Sequence, residues 1–151
     1  MHVERLSPPD LSPDAYRAIR AVEATIRGHG LPERLIELVK LRASQINGCA
    51  FCLDMHARLL RHAGEPEQRL HVLAGWRDSP LFSPAERAVL AWTETLTLVA
   101  ANHAPEADYA PLRDHFSDQE IVDLTILIGV INLWNRLAIG MRYVHDVADA
   151  P

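Results

Sequence analysis

The chain has 151 residues, 48% of them hydrophobic and 23% charged, which fits one globular domain (residues 1–151) able to bury a core of its own and excludes a disordered chain. Its formal net charge of −5, with no Lys/Arg run and only 6% aromatic residues, excludes the electrostatic and stacking footprint of a nucleic-acid binder. Met1-His2-Val3-Glu4-Arg5 leads into Pro8-Pro9 without the apolar stretch of a signal peptide. The longest apolar run, residues 124–134, is interrupted by Thr125, Gly129 and Asn132 and is too short to span a bilayer. A cytoplasmic protein with no membrane partner is expected.

In chain order, residues 1–9 read as an extended lead-in, because Ser7-Pro8-Pro9 opposes helix. Ser12-Pro13 reads as an N-cap and first-turn proline opening a helix to about residue 27, with Ala15, Ile19, Val22 and Ile26 at helical spacing and Gly28-His29-Gly30 as its stop. A second helix is predicted over about residues 32–46 and ends at Asn47-Gly48, a pair tolerant of the left-handed conformation. A third covers about residues 50–62 and stops at Gly64. A short helix over about 66–74 precedes a loop at 75–81. Ser83-Pro84-Ala85-Glu86 is a capping box that starts a helix to about residue 102, residues 105–115 are helical, and Ser117-Asp118-Gln119-Glu120 is a second capping box. It launches the longest helix, to about residue 145. No strand alternation occurs, so the expected fold class is all-α, a compact bundle of six or seven helices.

The last helix carries apolar residues on every side, from Ile121 to Trp134, and a helix of that kind must be buried on every side. In a chain this short, part of that burial is expected to come from a partner subunit. Gly129 and Gly140 would permit close approach of another helix.

Residues 37–56 hold the chemistry. The only two cysteines, Cys49 and Cys52, stand three apart with His56 four further on, a spacing that places all three on one helical face. Helix geometry puts Glu37 ~15 Å before the turn and His56 ~12 Å after it, so antiparallel neighbours bring them level. Amides at a helix start and the helix dipole stabilise an anion, which lowers a thiol's pKa from its usual ~8.5. A carboxylate, an imidazole and two thiols on one surface can relay a proton and generate a thiolate. The same four side chains could instead bind tetrahedral zinc, or the cysteines could be small buried hydrophobes.

The pattern Glu37-x11-Cys49-x2-Cys52-x3-His56, embedded in Ser-Gln-Ile-Asn-Gly-Cys-Ala-Phe-Cys, resembles the core motif of the carboxymuconolactone decarboxylase/alkylhydroperoxidase D superfamily. The resemblance implies an AhpD-like helical fold and a thiol-dependent peroxidase needing no cofactor, with a small-molecule hydroperoxide as substrate. It implies Cys52 as the peroxidatic thiol, Cys49 as the resolving thiol, and Glu37 and His56 as the proton relay. It further implies a dithiol reductant, such as the lipoyl group of a partner protein, and a homo-oligomer, often a trimer or hexamer. Peroxidatic relatives carry a histidine just before the second cysteine, where this chain has Phe51, so one relay member is absent. The alternatives are the decarboxylase branch, a lyase on a small lactone acid that would not need the thiols, and a non-enzymatic assembly module.

Other polar residues are placed more loosely. Asn132, Trp134, Asn135 and Arg136 on the apolar last helix are candidates for a pocket wall or an interface. Ser44 reads as a local hydrogen-bonding residue, Asp54 as a solvated one, and His145 as a helix C-terminal cation. His2, His29, His62, His71, His103 and His115 show no metal-ligand spacing, and no glycine-rich phosphate loop occurs.

Overall fold

A computed structural model of the chain describes residues 3–146. Among these residues the structure is all helical, in the order α1 (Pro8–Leu11), α2 (Pro13–Gly28), α3 (Glu33–Asn47), α4 (Ala50–His62), α5 (Glu67–Val72), α6 (Pro84–Thr97), α7 (Val99–Asn102), α8 (Glu106–Tyr109) and α9 (Asp118–Met141), with 3-10 turns at Leu73–Asp78 and Ala110–Asp114. The expected elements are present, and the two extra one-turn pieces, α1 and α7, come from details of capping.

The lead-in is the first correction. Proline is excluded from helix interiors but suits the first helical positions, where no amide bond is required. Pro8 and Pro9 therefore start a single turn, with the Ser7 carbonyl accepting from the amides of Asp10 and Leu11 at 3.2 and 3.1 Å. The long helix opened by Ser83 ends at Thr97 rather than 102, because the Asn102 amide side chain donates to the carbonyls of Thr95 and Leu98, at 3.0 and 3.1 Å, and turns the chain there. The segment expected as a loop at 75–81 is largely a 3-10 turn, and 105–115 divides between α8 and a second such turn. Both capping boxes form as predicted, at Ser83/Glu86 and Ser117/Glu120.

Helix α9 ends at Met141, one turn short of the expected position. Arg142 adopts the left-handed conformation (φ 59°, ψ 52°), and the Tyr143 amide bonds back to the Ala138 carbonyl at 2.9 Å. The N-terminal segment takes up the remaining helix-end acceptors: the Arg5 amide donates to the Met141 carbonyl at 2.9 Å and its guanidinium to the Gly140 carbonyl at 3.0 Å. His145 therefore lies beyond the helix, while His2 lies outside the described residues.

The helix at the centre is α3, which packs against α4, α6 and α9 and buries every position from Ile36 to Leu41. On one side lies a core built on Val39, Val89, Trp92, Leu124 and Ile128, and on the other a core built on Leu38, Leu60, Leu73, Trp76 and Leu90. Surrounding α3 with apolar contacts on both flanks forces its two buried charged residues, Glu37 and Lys40, to find partners inside the protein. That demand builds the site.

By length and composition α9 is capable of crossing a bilayer. Its position in the bundle, with Asp123, Asn132 and Asn135 buried along it among Leu124, Ile128 and Ile131, is that of a core helix. It is not buried on every side within one chain. Val122, Ile126 and Leu133 form an outward apolar stripe, each between 39% and 56% exposed, and Gly129 lies in the same stripe. A side chain at Gly129 would meet nothing within 4 Å among the described residues, so none of the helices above approaches it closely.

Candidate functional site

Gly48 makes the hairpin between α3 and α4. It caps α3 at φ 69°, ψ 33°, a conformation glycine adopts without the clash a Cβ brings. Three amide side chains hold the turn: Asn47 Nδ2 donates to Asn132 Oδ1 (2.9 Å) and Asn135 Oδ1 (2.8 Å), and Asn135 Nδ2 donates to Ser44 Oγ (3.0 Å). Ser44 in turn donates to the Lys40 carbonyl at 2.7 Å, the local role expected of it. Asn132 and Asn135 are thus buried struts that lock α9 to the turn, and neither lines the cavity described below.

The turn delivers Cys49 as the N-cap of α4, where its sulfur accepts from the Cys52 amide at 3.3 Å. Cys49 and Cys52 are joined as a disulfide with Cα atoms 5.3 Å apart, within the ordinary range for such a bond. Both are buried, and with Ala138, Phe51 and Tyr143 they form a third, small apolar cluster.

One turn further along α4, His56 meets the carboxylate that the hairpin geometry predicted. His56 Nδ1 lies 2.6 Å from Glu37 Oε2, and both residues are almost fully buried, at 3% and 1% exposure. The second oxygen of Glu37 accepts from the Arg27 guanidinium, also at 2.6 Å. Burial alone would raise the Glu37 pKa, but the His56 hydrogen bond and charge, the Arg27 hydrogen bond and the nearby Lys40 outweigh it and bring it down to about 2. Glu37 is therefore an anion at neutral pH, accepts the Nδ1 proton of His56, and leaves Nε2 as the free end of the imidazole.

His56 Nε2 is buried with no protein partner among the described residues, and the ring lines a cavity of about 290 Å³ whose wall also contains Cys52. Phe51, Met55 and Trp134 give it apolar walls, and Tyr16 packs edge-on to Trp134 with ring centroids 5.0 Å apart. Lys40 and Glu23 form an ion pair in the wall, and Trp134 Nε1 donates to the other Glu23 oxygen at 3.2 Å. Arg20 completes the charged side.

The structure thus brings together Cys49, Cys52, His56 and Glu37, with Phe51 and Trp134 on the cavity wall. Arg136 is exposed and donates to the Asn132 carbonyl at 2.8 Å, away from the cavity. Asp54 pairs with Arg58 on the outer face of α4. Among the described residues no group of three or more His, Cys, Asp or Glu side chains is arranged to hold a metal ion. Sequence reasoning missed Lys40, although its place three residues after Glu37 on one helix put it on the same face. It also missed Arg27, Glu23 and Tyr143, whose roles depend on how α2 and the end of α9 pack, and no local spacing signals that.

An all-helical bundle with a CxxC pair at the head of a helix packed on the central α3 is an AhpD-like fold. The sequence pattern of the carboxymuconolactone decarboxylase family matches residues 13–95, and the chain belongs to that family. It is 46% identical to a protein of Agrobacterium tumefaciens described as of unknown function and as a candidate antioxidant defence protein AhpD, whose crystal structure superposes with a TM-score of 0.93 over 97% of this chain and 100% of that one. The uncharacterized protein YdfG of Bacillus subtilis is 36% identical over 91% of this chain and 94% of its own length. An uncharacterized peroxidase-related protein from Silicibacter sp. is 26% identical, with a TM-score of 0.76, over 87% of this chain and 70% of that structure. The family and the CxxC pair fit antioxidant chemistry of the peroxidase type.

Proposed function

We propose that this protein is a thiol-dependent oxidoreductase that reduces a small organic hydroperoxide with the Cys49/Cys52 pair. The observation that carries the reading is the imidazole of His56: anchored through Nδ1 on an ionised, buried Glu37, it leaves Nε2 without a protein partner and lines the same cavity as Cys52. An imidazole held that way accepts the Cys52 thiol proton on Nε2, and the start of α4 stabilises the resulting thiolate.

The thiolate attacks the terminal oxygen of the hydroperoxide. An S–O bond forms, the O–O bond breaks, and the electron pair leaves with the alkoxide, which is protonated to the alcohol while Cys52 becomes a sulfenic acid. The Cys49 thiol then attacks the Cys52 sulfur and releases water, giving the Cys49–Cys52 disulfide. A dithiol reductant, with the lipoyl group of a partner protein as the model, returns the pair to two thiols and is itself oxidised to a disulfide. The reducing cytoplasm suits such a cycle.

Self-association belongs to the same proposal. The outward stripe of α9 (Val122, Ile126, Gly129, Leu133) is an apolar face without cover from the described residues, and a second copy of the chain is the occupant we assign to it. The test of the reaction is turnover of a hydroperoxide in the presence of a dithiol by wild type and Cys52→Ser. Loss of turnover in the variant supports the thiol mechanism; an undiminished rate contradicts it. Activity on a lactone acid that survives Cys49→Ala but not Glu37→Gln would instead support the decarboxylase branch.

A further inference from the structure

Two buried side-chain polar atoms have no protein partner among the described residues, His56 Nε2 and the hydroxyl oxygen of Tyr143. Both side chains line the cavity beside Cys52. The first is explained by the proton relay. The second is not, and a buried hydroxyl with no protein partner is unfavourable enough to need a reason.

The fold fixes the Tyr143 ring without using its hydroxyl. Arg142 in the left-handed conformation reverses the chain at the end of α9, and the Tyr143 amide is tied to the Ala138 carbonyl. The ring then stands edge-on to Phe51, with centroids 5.3 Å apart and planes at 80°, next to the residue that precedes Cys52. Burial, with Tyr16 and Glu4 nearby, raises the phenol pKa above its usual 10, so the hydroxyl remains protonated and able to donate throughout the physiological range.

We infer that the Tyr143 hydroxyl is a catalytic hydrogen-bond donor that binds the leaving oxygen of the hydroperoxide. The inference rests on the peroxide-reducing reading given above. As the Cys52 sulfur bonds to the terminal oxygen and the O–O bond breaks, negative charge collects on the oxygen attached to carbon. A donor in the cavity wall stabilises that charge until the proton taken from Cys52 by His56 neutralises it, giving the alcohol with every proton accounted for. Tyr143 takes the opposite task to His56: His56 accepts a proton before bond cleavage and Tyr143 offers a hydrogen bond during it. Phe51 occupies the position where peroxidatic relatives have a histidine, and Tyr143 packs directly on it.

The test compares reduced wild type and Tyr143→Phe in stopped-flow oxidation by tert-butyl hydroperoxide and by peracetic acid. The alkoxide from the first is a poor leaving group and needs the donor; the acetate from the second does not. The variant should retain its thermal stability, because no protein hydrogen bond is lost. It should react with the hydroperoxide on the order of 10²-fold more slowly and with the peracid at close to the wild-type rate. Equal rates for the two proteins with the hydroperoxide, or equal losses with both oxidants, would overturn the inference and leave the thiol mechanism standing. A wild type inert to hydroperoxides would overturn both. Should Tyr143→Phe fail to fold, 3-fluorotyrosine at the same position keeps the shape and changes the phenol's acidity: a shifted rate with the hydroperoxide alone supports the role, and an unchanged rate rejects it.

Discussion

Glu37 and His56 are nineteen residues apart in sequence, on antiparallel helices, and meet at 2.6 Å in the interior. The contact couples two facts about the protein. Glu37 is a buried anion only because His56 and Arg27 hydrogen-bond to it, and the His56 ring is held with Nε2 unpartnered because Glu37 fixes the other nitrogen.

Replacing that carboxylate should therefore damage chemistry and acid stability together. In Glu37→Gln, His56 loses the anion that orients it, and peroxide-driven oxidation of the thiols should slow by about 10²-fold at neutral pH. In the wild type the folded-state pKa of Glu37, about 2, lies below its ordinary value of 4.5, so the unfolded chain binds the proton first as pH falls. The stabilisation is thus complete above about pH 4.5 and is lost progressively towards about pH 2. Urea unfolding across this window should show a steeper loss in the wild type than in Glu37→Gln; parallel curves would contradict the account.

The turn that carries Cys49 depends on Asn135. Asn135→Ala removes an acceptor of Asn47 and the donor to buried Ser44, so unfolding free energy should fall by about 1–3 kcal/mol. Gly48→Ala should cost about 1 kcal/mol through the left-handed backbone alone. Chemical denaturation of both variants checks the two figures.

Phe51 stands in the cavity wall where a relay histidine would sit. Phe51→His is expected to raise the rate of peroxide-driven thiol oxidation, at some cost to the packing against Tyr143. Stopped-flow rates at several pH values measure the gain, and a slower variant would show that the relay is complete without it.

The outward face of α9 should hold copies of the chain together. Ile126→Glu places a charge in the stripe and is expected to shift the protein to a smaller species in sedimentation experiments, with its helical content unchanged. An identical sedimentation coefficient for both proteins would remove that face as the interface.

Much of this architecture was legible in the sequence, for local reasons. The capping boxes at Ser83 and Ser117, Gly48 at the left-handed turn and the Cys49/Cys52/His56 spacing all act within one or two helical turns, and each formed as expected. Where expectation failed, contacts outside the helical pattern decided. Arg5 caps the end of α9 from the other end of the chain, and Asn102 reaches back to break the helix before it. Asn132 and Asn135 looked like pocket residues because buried polar groups need partners; their partner proved to be the turn at Asn47. Arg27, Glu23 and Tyr143 join the site through tertiary packing, which no spacing within one helix encodes.

The central claim is that Cys49 and Cys52 are a peroxide-driven redox pair. Its most direct test is a free-thiol count on the reduced protein after one equivalent of an organic hydroperoxide, with mass analysis of the peptide containing both cysteines. The account predicts prompt loss of both thiols and a mass decrease of two hydrogens. Two unreacted thiols would contradict it.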